Sequence, residues 1–195
     1  TNRYGTRYAY DFIQVEWTRK GWPAYRVSMM QYLIKGAALE DYYCWGERVY
    51  APCDGMVVVA EDGYAEKKTN LLTDVFKAYK NANYFDPYKD NIQCIAGNYM
   101  IIQYAKNVYA ALCHLQKDSV QVTVGQYVKA GDYVGNVGHS GNSFAPHLHF
   151  QLMDSRDITK ANGLPCAFRE YEIFIDGLWK EVKDGVPTNR DRIRF

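Results

Sequence analysis

The stretch "VQVTVGQYVKAGDYVGNVGHSGNS", residues 120–143, constrains the fold more than any other part of the chain. Polar and apolar residues alternate through it, and glycines stand at 125, 131, 135, 138 and 141. This is the punctuation of a compact, tightly turned β structure. "PHLHFQLMD" (146–154) follows as a strand, with His147, His149 and Gln151 on one face and Leu148, Phe150 and Leu152 on the other. The apolar set belongs to a core, so the histidine face points into something polar.

The same reading extends through most of the chain. "RVYAPCDGMVVVAEDG" (48–63) predicts an extended run, a turn at Asp54-Gly55 and a β-branched strand. "GNYMIIQYAKNVYAALCHL" (97–115) predicts a hairpin turning near Lys106-Asn107, with Asn98 as a turn residue. Eighteen tyrosines suit pleated, half-buried surfaces; Tyr8 and Tyr10 are candidates to line a groove. Residues 22–40 are ambiguous between helix and strand. Within 65–89, Leu71, Leu72, Val75, Phe76 and Tyr79 recur at helical spacing, which predicts a helical insertion on the β scaffold. The tail predicts one hairpin around "IFIDGLW", turning at Asp176-Gly177, and a solvated end, "NRDRIRF".

At 195 residues the chain fits one domain with an insertion. With 23 basic against 22 acidic residues there is no electrostatic case for nucleic acid. Its longest apolar runs, "MVVVA" and "YMII", are too short to span a bilayer. It starts at Thr1 with no signal peptide, the pattern expected of a mature or trimmed form. None of the five cysteines (44, 53, 94, 113 and 166) forms a C-x-x-C pair, which argues against a structural zinc knuckle and leaves the redox compartment open.

Chemistry concentrates in the histidines, of which there are four. His147 and His149 project in parallel, their Cβ atoms about 7 Å apart on an extended strand. One can bind a metal while the other faces a substrate. His114, in "ALCHL", is expected to share a face with Leu112 while Cys113 turns away into the core. His139, in the turn "GHSGNS", is expected to be exposed, with a place at a groove rim as the alternative.

"GHSGNSFAPHLHFQLMD" resembles the H-x-H signature of the lysostaphin-type zinc endopeptidases, which cut peptide bonds in bacterial peptidoglycan. "RVYAPCDGMVVVA", "GNYMIIQY", "YAALCHLQKDSVQVTVGQYVKAGDYVGNVG" and "YAYDF" (8–12) are similar to that family's other motifs, in the same order. The resemblance covers roughly residues 4–18 and 46–154. It implies a mainly β, antiparallel sheet or sandwich-barrel fold with a groove. A peptidase-like domain would occupy 1–168, with the insertion at 65–91, and a C-terminal hairpin and tail would occupy 169–195, packed on the same domain. It also implies zinc as cofactor, peptidoglycan or other peptides as substrate, and the cell envelope or extracellular space as location. Residue by residue, Asp11 and His149 match metal ligands, while His114 and His147 match the histidines that handle protons and steady the oxyanion.

One position departs from the pattern. The family has H-x-x-x-D at the aspartate, and this chain has Arg7 four residues before Asp11. A guanidinium has no lone pair to donate and cannot ligate a metal. Three readings follow. Zinc binds with a third ligand from His114, from a cysteine such as Cys53 or from elsewhere, and the domain is an enzyme. Alternatively, Arg7 occupies the cation's place against Asp11, and the domain is an inactive scaffold for peptidoglycan or a protein partner. Or Arg7 points away in a surface ion pair. Retention of Asp11, His114, His147 and His149 together favours the enzyme. The 124–138 hairpin also resembles biotinyl- and lipoyl-carrier domains, but no Met-Lys-Met or exposed lysine stands at the expected tip. A phosphocarrier using paired histidines would not require Asp11.

Overall fold

The central strands are apolar on both faces, which is why they sit in the middle of the molecule. In the computed structural model, which describes residues 3–21, 23–66, 69, 79, 86 and 91–195, strand β4 (Asn98–Ala105) turns at Lys106-Asn107 into β5 (Val108–Leu115). Asn107 adopts a positive φ of 59°, a conformation its short polar side chain tolerates. Met100, Ile102, Ala110 and Leu112 face one core cluster; Tyr99, Ile101, Ala111 and Cys113 face a second.

Around this pair the sheet grows by antiparallel neighbours only. Its order is β1 (Tyr10–Phe12), β8 (Leu148–Met153), β5, β4, β3 (Gly55–Glu61) and β6 (Tyr127–Val128), with β9 (Gly163–Leu164) also on β8. The fold is mainly β, as expected, but the sheet stays open between β1 and β6 and no closed barrel forms. β2 (Arg48–Tyr50) pairs with β7 (Tyr133–Asn136), so the two strands of the glycine-rich stretch, β6 and β7, bind different partners and not each other. The ambiguity of 22–40 resolves into a short helix, α1 (Met29–Lys35), capped by the Ser28 side chain. The helical insertion predicted over 65–89 lies almost wholly outside the described residues.

The C-terminal hairpin forms as read: β10 (Phe168–Ile175) and β11 (Leu178–Gly185) join through Asp176 and Gly177, both at positive φ. The end of the chain departs from expectation in one respect. It stays largely exposed, as read, yet it also adds a third strand, β12 (Ile193–Arg194), with Arg194 paired to Glu172 and Arg192 stacked 4.0 Å from the Phe174 ring centre. Phe168 packs its ring 5.2–5.8 Å from those of Tyr10, Phe12 and Phe150. A crevice of about 1780 Å³ opens on the apolar side of β1 and β8, lined by Tyr10, Phe12, Leu148, Phe150 and Phe168 among others. No described helix is long and apolar enough to cross a membrane.

Candidate active site

Register alone brings the aspartate to the H-x-H strand. Asp11 of β1 lies directly opposite His149 of β8, and Cys113 of β5 lies opposite His149 on the other side. Directly paired residues share a face, so Cys113 points toward the histidine side of the sheet, contrary to the alternation expected from sequence. It is still core: the thiol is buried against Ile101, Ala111 and Met153, and burial pushes its pKa up to about 12.

His114 reaches the same face by a different route. Two residues, Cys113 and His114, oppose the single Tyr99 on β4, a β-bulge, and His114 takes a φ of 63°. Bulges re-aim side chains beside functional sites. Here the bulge turns the ring off the face of Leu112, to 4.8 Å from the His147 ring centre and 5.8 Å from that of His149.

Each imidazole is oriented by a defined acceptor. His114 donates from Nδ1 to the Ser140 carbonyl at 2.9 Å, and His147 donates from Nδ1 to the Ala145 carbonyl at 2.7 Å. In the neutral rings this leaves the lone pair on Nε2. For His149 the Gln151 amide decides. Gln151 donates its nitrogen to the Tyr4 carbonyl at 2.9 Å, which leaves its oxygen 2.8 Å from His149 Nε2, so that nitrogen carries a hydrogen. The remaining nitrogen, Nδ1, faces Asp11 Oδ1 at 2.8 Å. A bare lone pair against a carboxylate at that distance is repulsive, so a cation sits between them, either a proton or a metal ion.

The electrostatics agree. Burial opposes ionisation of Asp11, but the neighbouring His147 and His149 imidazoles outweigh it and hold its carboxyl well below the usual range. Burial likewise opposes a charge on His149, yet Asp11 and Gln151 raise its pKa above the ordinary value. Burial, then the neighbouring His147 and His149, push His114 well below the ordinary value and keep it neutral.

The donor chemistry fits zinc without any contribution from residue 7. Nitrogens of His114, His147 and His149 lie within 4.8 Å of one another, and Asp11 Oδ1 is 3.5 Å from His147 Nε2. Imidazole and carboxylate suit zinc, and a ligating histidine ordinarily gives its other N–H to a carbonyl, as His114 and His147 do. Arg7 is exposed, its guanidinium 5.4 Å from the centre of the Tyr8 ring, and among the described residues no hydrogen bond or ion pair joins it to Asp11. The reading in which Arg7 replaces the cation therefore has no geometric basis here. Cys53 packs against the main core cluster, away from the imidazoles.

Several residues of the site escaped the sequence reading. Gln151 was placed on the histidine face but given no task. His139 is buried, at 1% exposure, instead of exposed. Asn98, read as a turn residue, is fully buried and clamps Tyr64 and Leu115. The available signal was the glycine spacing: a Cβ at Gly138 would overlap the backbone of Leu115 and Gln116, so this loop has to lie against β5.

An antiparallel β scaffold carrying one carboxylate and three converging imidazoles defines a metal-competent histidine site. Residues 40–161, which include all four histidines, match Peptidase family M23, and the chain belongs to that family. It is 38% identical over 58 residues to peptidoglycan DD-endopeptidase ShyA of Vibrio cholerae, covering 30% of this chain and 13% of that protein. It is 58% identical over 40 residues to lysostaphin of Staphylococcus simulans, covering 20% of this chain and 8% of that one. The matched stretches are thus a small part of these relatives' length. The catalytic domain of lysostaphin superposes with a TM-score of 0.40 at 25% identity, over 74% of this chain and 86% of that domain.

Proposed function

We propose that this domain is a zinc-dependent endopeptidase acting on peptidoglycan peptides in the cell envelope or outside the cell. The observation that carries it is the convergence of Asp11, His114, His147 and His149, each ring held by its own acceptor. The names of the relatives, DD-endopeptidases of peptidoglycan, support the substrate class. Asp11 and His149 hold the metal. The free Nε2 atoms of His114 and His147 face the same space, and one of them completes the ligand set while the other takes a proton from the attacking water. When bound, zinc supplies Lewis acidity and lowers the pKa of a coordinated water to about 7. With its Nδ1–H committed to Ser140, His114 has only Nε2 open toward a metal or a proton.

The test is zinc content and peptidoglycan hydrolysis of protein purified without chelators. The wild type should hold stoichiometric zinc and release peptides. Of His114→Ala and His147→Ala, the variant that loses zinc marks the ligand, and the one that keeps zinc but loses cleavage marks the base. Wild type with neither zinc nor cleavage would sink the enzyme reading. One observation favours a second reading, an inactive scaffold: the ligand position ahead of Asp11 holds an arginine that points outward. In that case Arg7→His creates zinc binding and cleavage where the wild type has none.

A further inference from the structure

The glycine-rich loop between β7 and β8 orients both proton-handling imidazoles, and it does so with side chains that the chemistry above leaves unused. Ser140 gives its carbonyl to His114 Nδ1, while its hydroxyl donates to the Leu115 carbonyl at 2.7 Å and accepts from the Asn98 N–H at 2.9 Å. Three residues on, Ser143 Oγ lies 2.6 Å from the Ala145 carbonyl, 3.0 Å from His139 Nδ1 and 3.1 Å from His147 Nδ1.

Proton inventory determines who donates. A serine hydroxyl has one proton and two acceptor lone pairs. At 2.6 Å from a carbonyl, which can only accept, the hydroxyl proton goes to Ala145. The Ser143 oxygen can then only accept, and both imidazoles that approach it must present N–H. This commits His139 to its Nδ1–H form and reinforces the Nδ1–H form of His147, whose hydrogen is shared between Ala145 and Ser143. Were His139 to present a lone pair instead, the serine proton would have to turn toward it, and the contact with Ala145 would be lost.

We propose that His139 is a positioning residue: through Ser143 it holds the Ala145 turn and locks His147 with Nε2 as the open nitrogen facing Asp11. The proposal rests on His147 being a working group of the site. Two further observations support it. The His139 ring is 1% exposed, where a polar ring is costly unless it is hydrogen-bonded, so simple filling of space would be better done by an apolar residue. Its backbone is also anchored, since the N–H of His139 donates to Glu66 Oε1 at 2.6 Å and that carboxylate accepts from Trp45 Nε1 at 3.1 Å as well. This clamp fixes the backbone from which the ring reaches Ser143.

The experiment is the imidazole ¹⁵N spectrum of the full chain as purified, which separates Nδ1–H from Nε2–H tautomers, read with kcat and KM on peptidoglycan. In the wild type, His139 and His147 should both be Nδ1–H. His139→Phe keeps the volume and removes the donor; Ser143→Ala removes the relay. Both should let His147 average between tautomers and lower kcat by about 10–100-fold, the usual cost of losing an orienting partner, with KM unchanged. His139→Asn, which keeps a donor, should retain the locked tautomer and most of kcat. A His147 that stays locked in both His139→Phe and Ser143→Ala would overturn the proposal. So would a wild-type His139 in the Nε2–H form, a measurement that needs no variant to fold. If the tautomer pattern holds while the wild type cleaves nothing, the positioning role stands and the peptidase reading is what fails.

Discussion

Asp11 and His149 form the contact on which the residue-scale chemistry turns, and its pH dependence has a definite sign. Asp11 titrates below its ordinary value, so its contribution to stability is present above about pH 4 and is lost as pH falls through the lowered value. His149 titrates above its ordinary value, so its contribution is full below about pH 6.5 and is lost as pH rises through the raised one. In metal-free protein the pair therefore stabilises the fold most between about pH 4 and 6.5. The Asp11 side chain is 59% exposed, which limits the effect to under about 1 kcal/mol. Urea unfolding of wild type and Asp11→Asn should differ most near pH 5.5 and converge toward pH 9. Comparing the two cancels the opposing effect of His114, which resists protonation in the folded state of both. A gap that grows with pH would contradict the assignment of the pair.

At the scale of elements, the bulge in β5 is the device that makes the site. His114 could have stayed on the face of Leu112, where period-two alternation puts it. A second residue opposite Tyr99 and a positive φ swing it across instead. An L-residue pays about 1–2 kcal/mol for that conformation, and glycine avoids it while costing about 0.5–1 kcal/mol in unfolded-chain entropy. Since both substitutions lose the Ser140 hydrogen bond, His114→Gly should be more stable than His114→Ala by roughly 0.5–1 kcal/mol in denaturant unfolding. Equal stability, or the reverse order, would mean that the bulge relaxes when the ring is removed. The same element shows why the sequence reading of "ALCHL" went astray. Periodicity gives facing only while the ladder is regular, and nothing local in those residues announces the extra one.

For the molecule as a whole, the C-terminal three-stranded sheet is what covers the aromatic underside of β1 and β8. Phe168 and Phe195 meet the Phe12 ring edge-on, and Phe168 also meets Tyr10 and Phe150. Full burial of an aromatic side chain contributes about 1.5–3 kcal/mol, and Tyr10, Phe12 and Phe168 are only half-buried here, so losing this cover costs about 3 kcal/mol in all. Removing residues 167–195 should lower the thermal midpoint by roughly 10 °C, at about 2–4 °C per kcal/mol for a chain of this size. It should also promote association, visible by light scattering. The intact chain should melt in one transition; two separated transitions would show that the tail folds independently of the peptidase-like sheet.

By itself the sequence determined the strands, the β4–β5 and β10–β11 turns and the facing of "HLHF", and it singled out the four candidate residues that the structure brings together, because alternation, turn chemistry and family motifs are all local in the chain. It also determined that Arg7 cannot be a ligand, which follows from the guanidinium alone. Only the tertiary structure decided where that arginine points, how His114 joins the other imidazoles, and which nitrogen of each ring is open. It also buried His139, a residue whose turn sequence predicts exposure. The physical reason is the same in each case. A ring's orientation depends on which acceptor lies within about 3 Å of it, and those acceptors (Ser140, Ala145, Gln151 and Asp11) are brought there by register, a bulge and a loop pressed against a neighbouring strand.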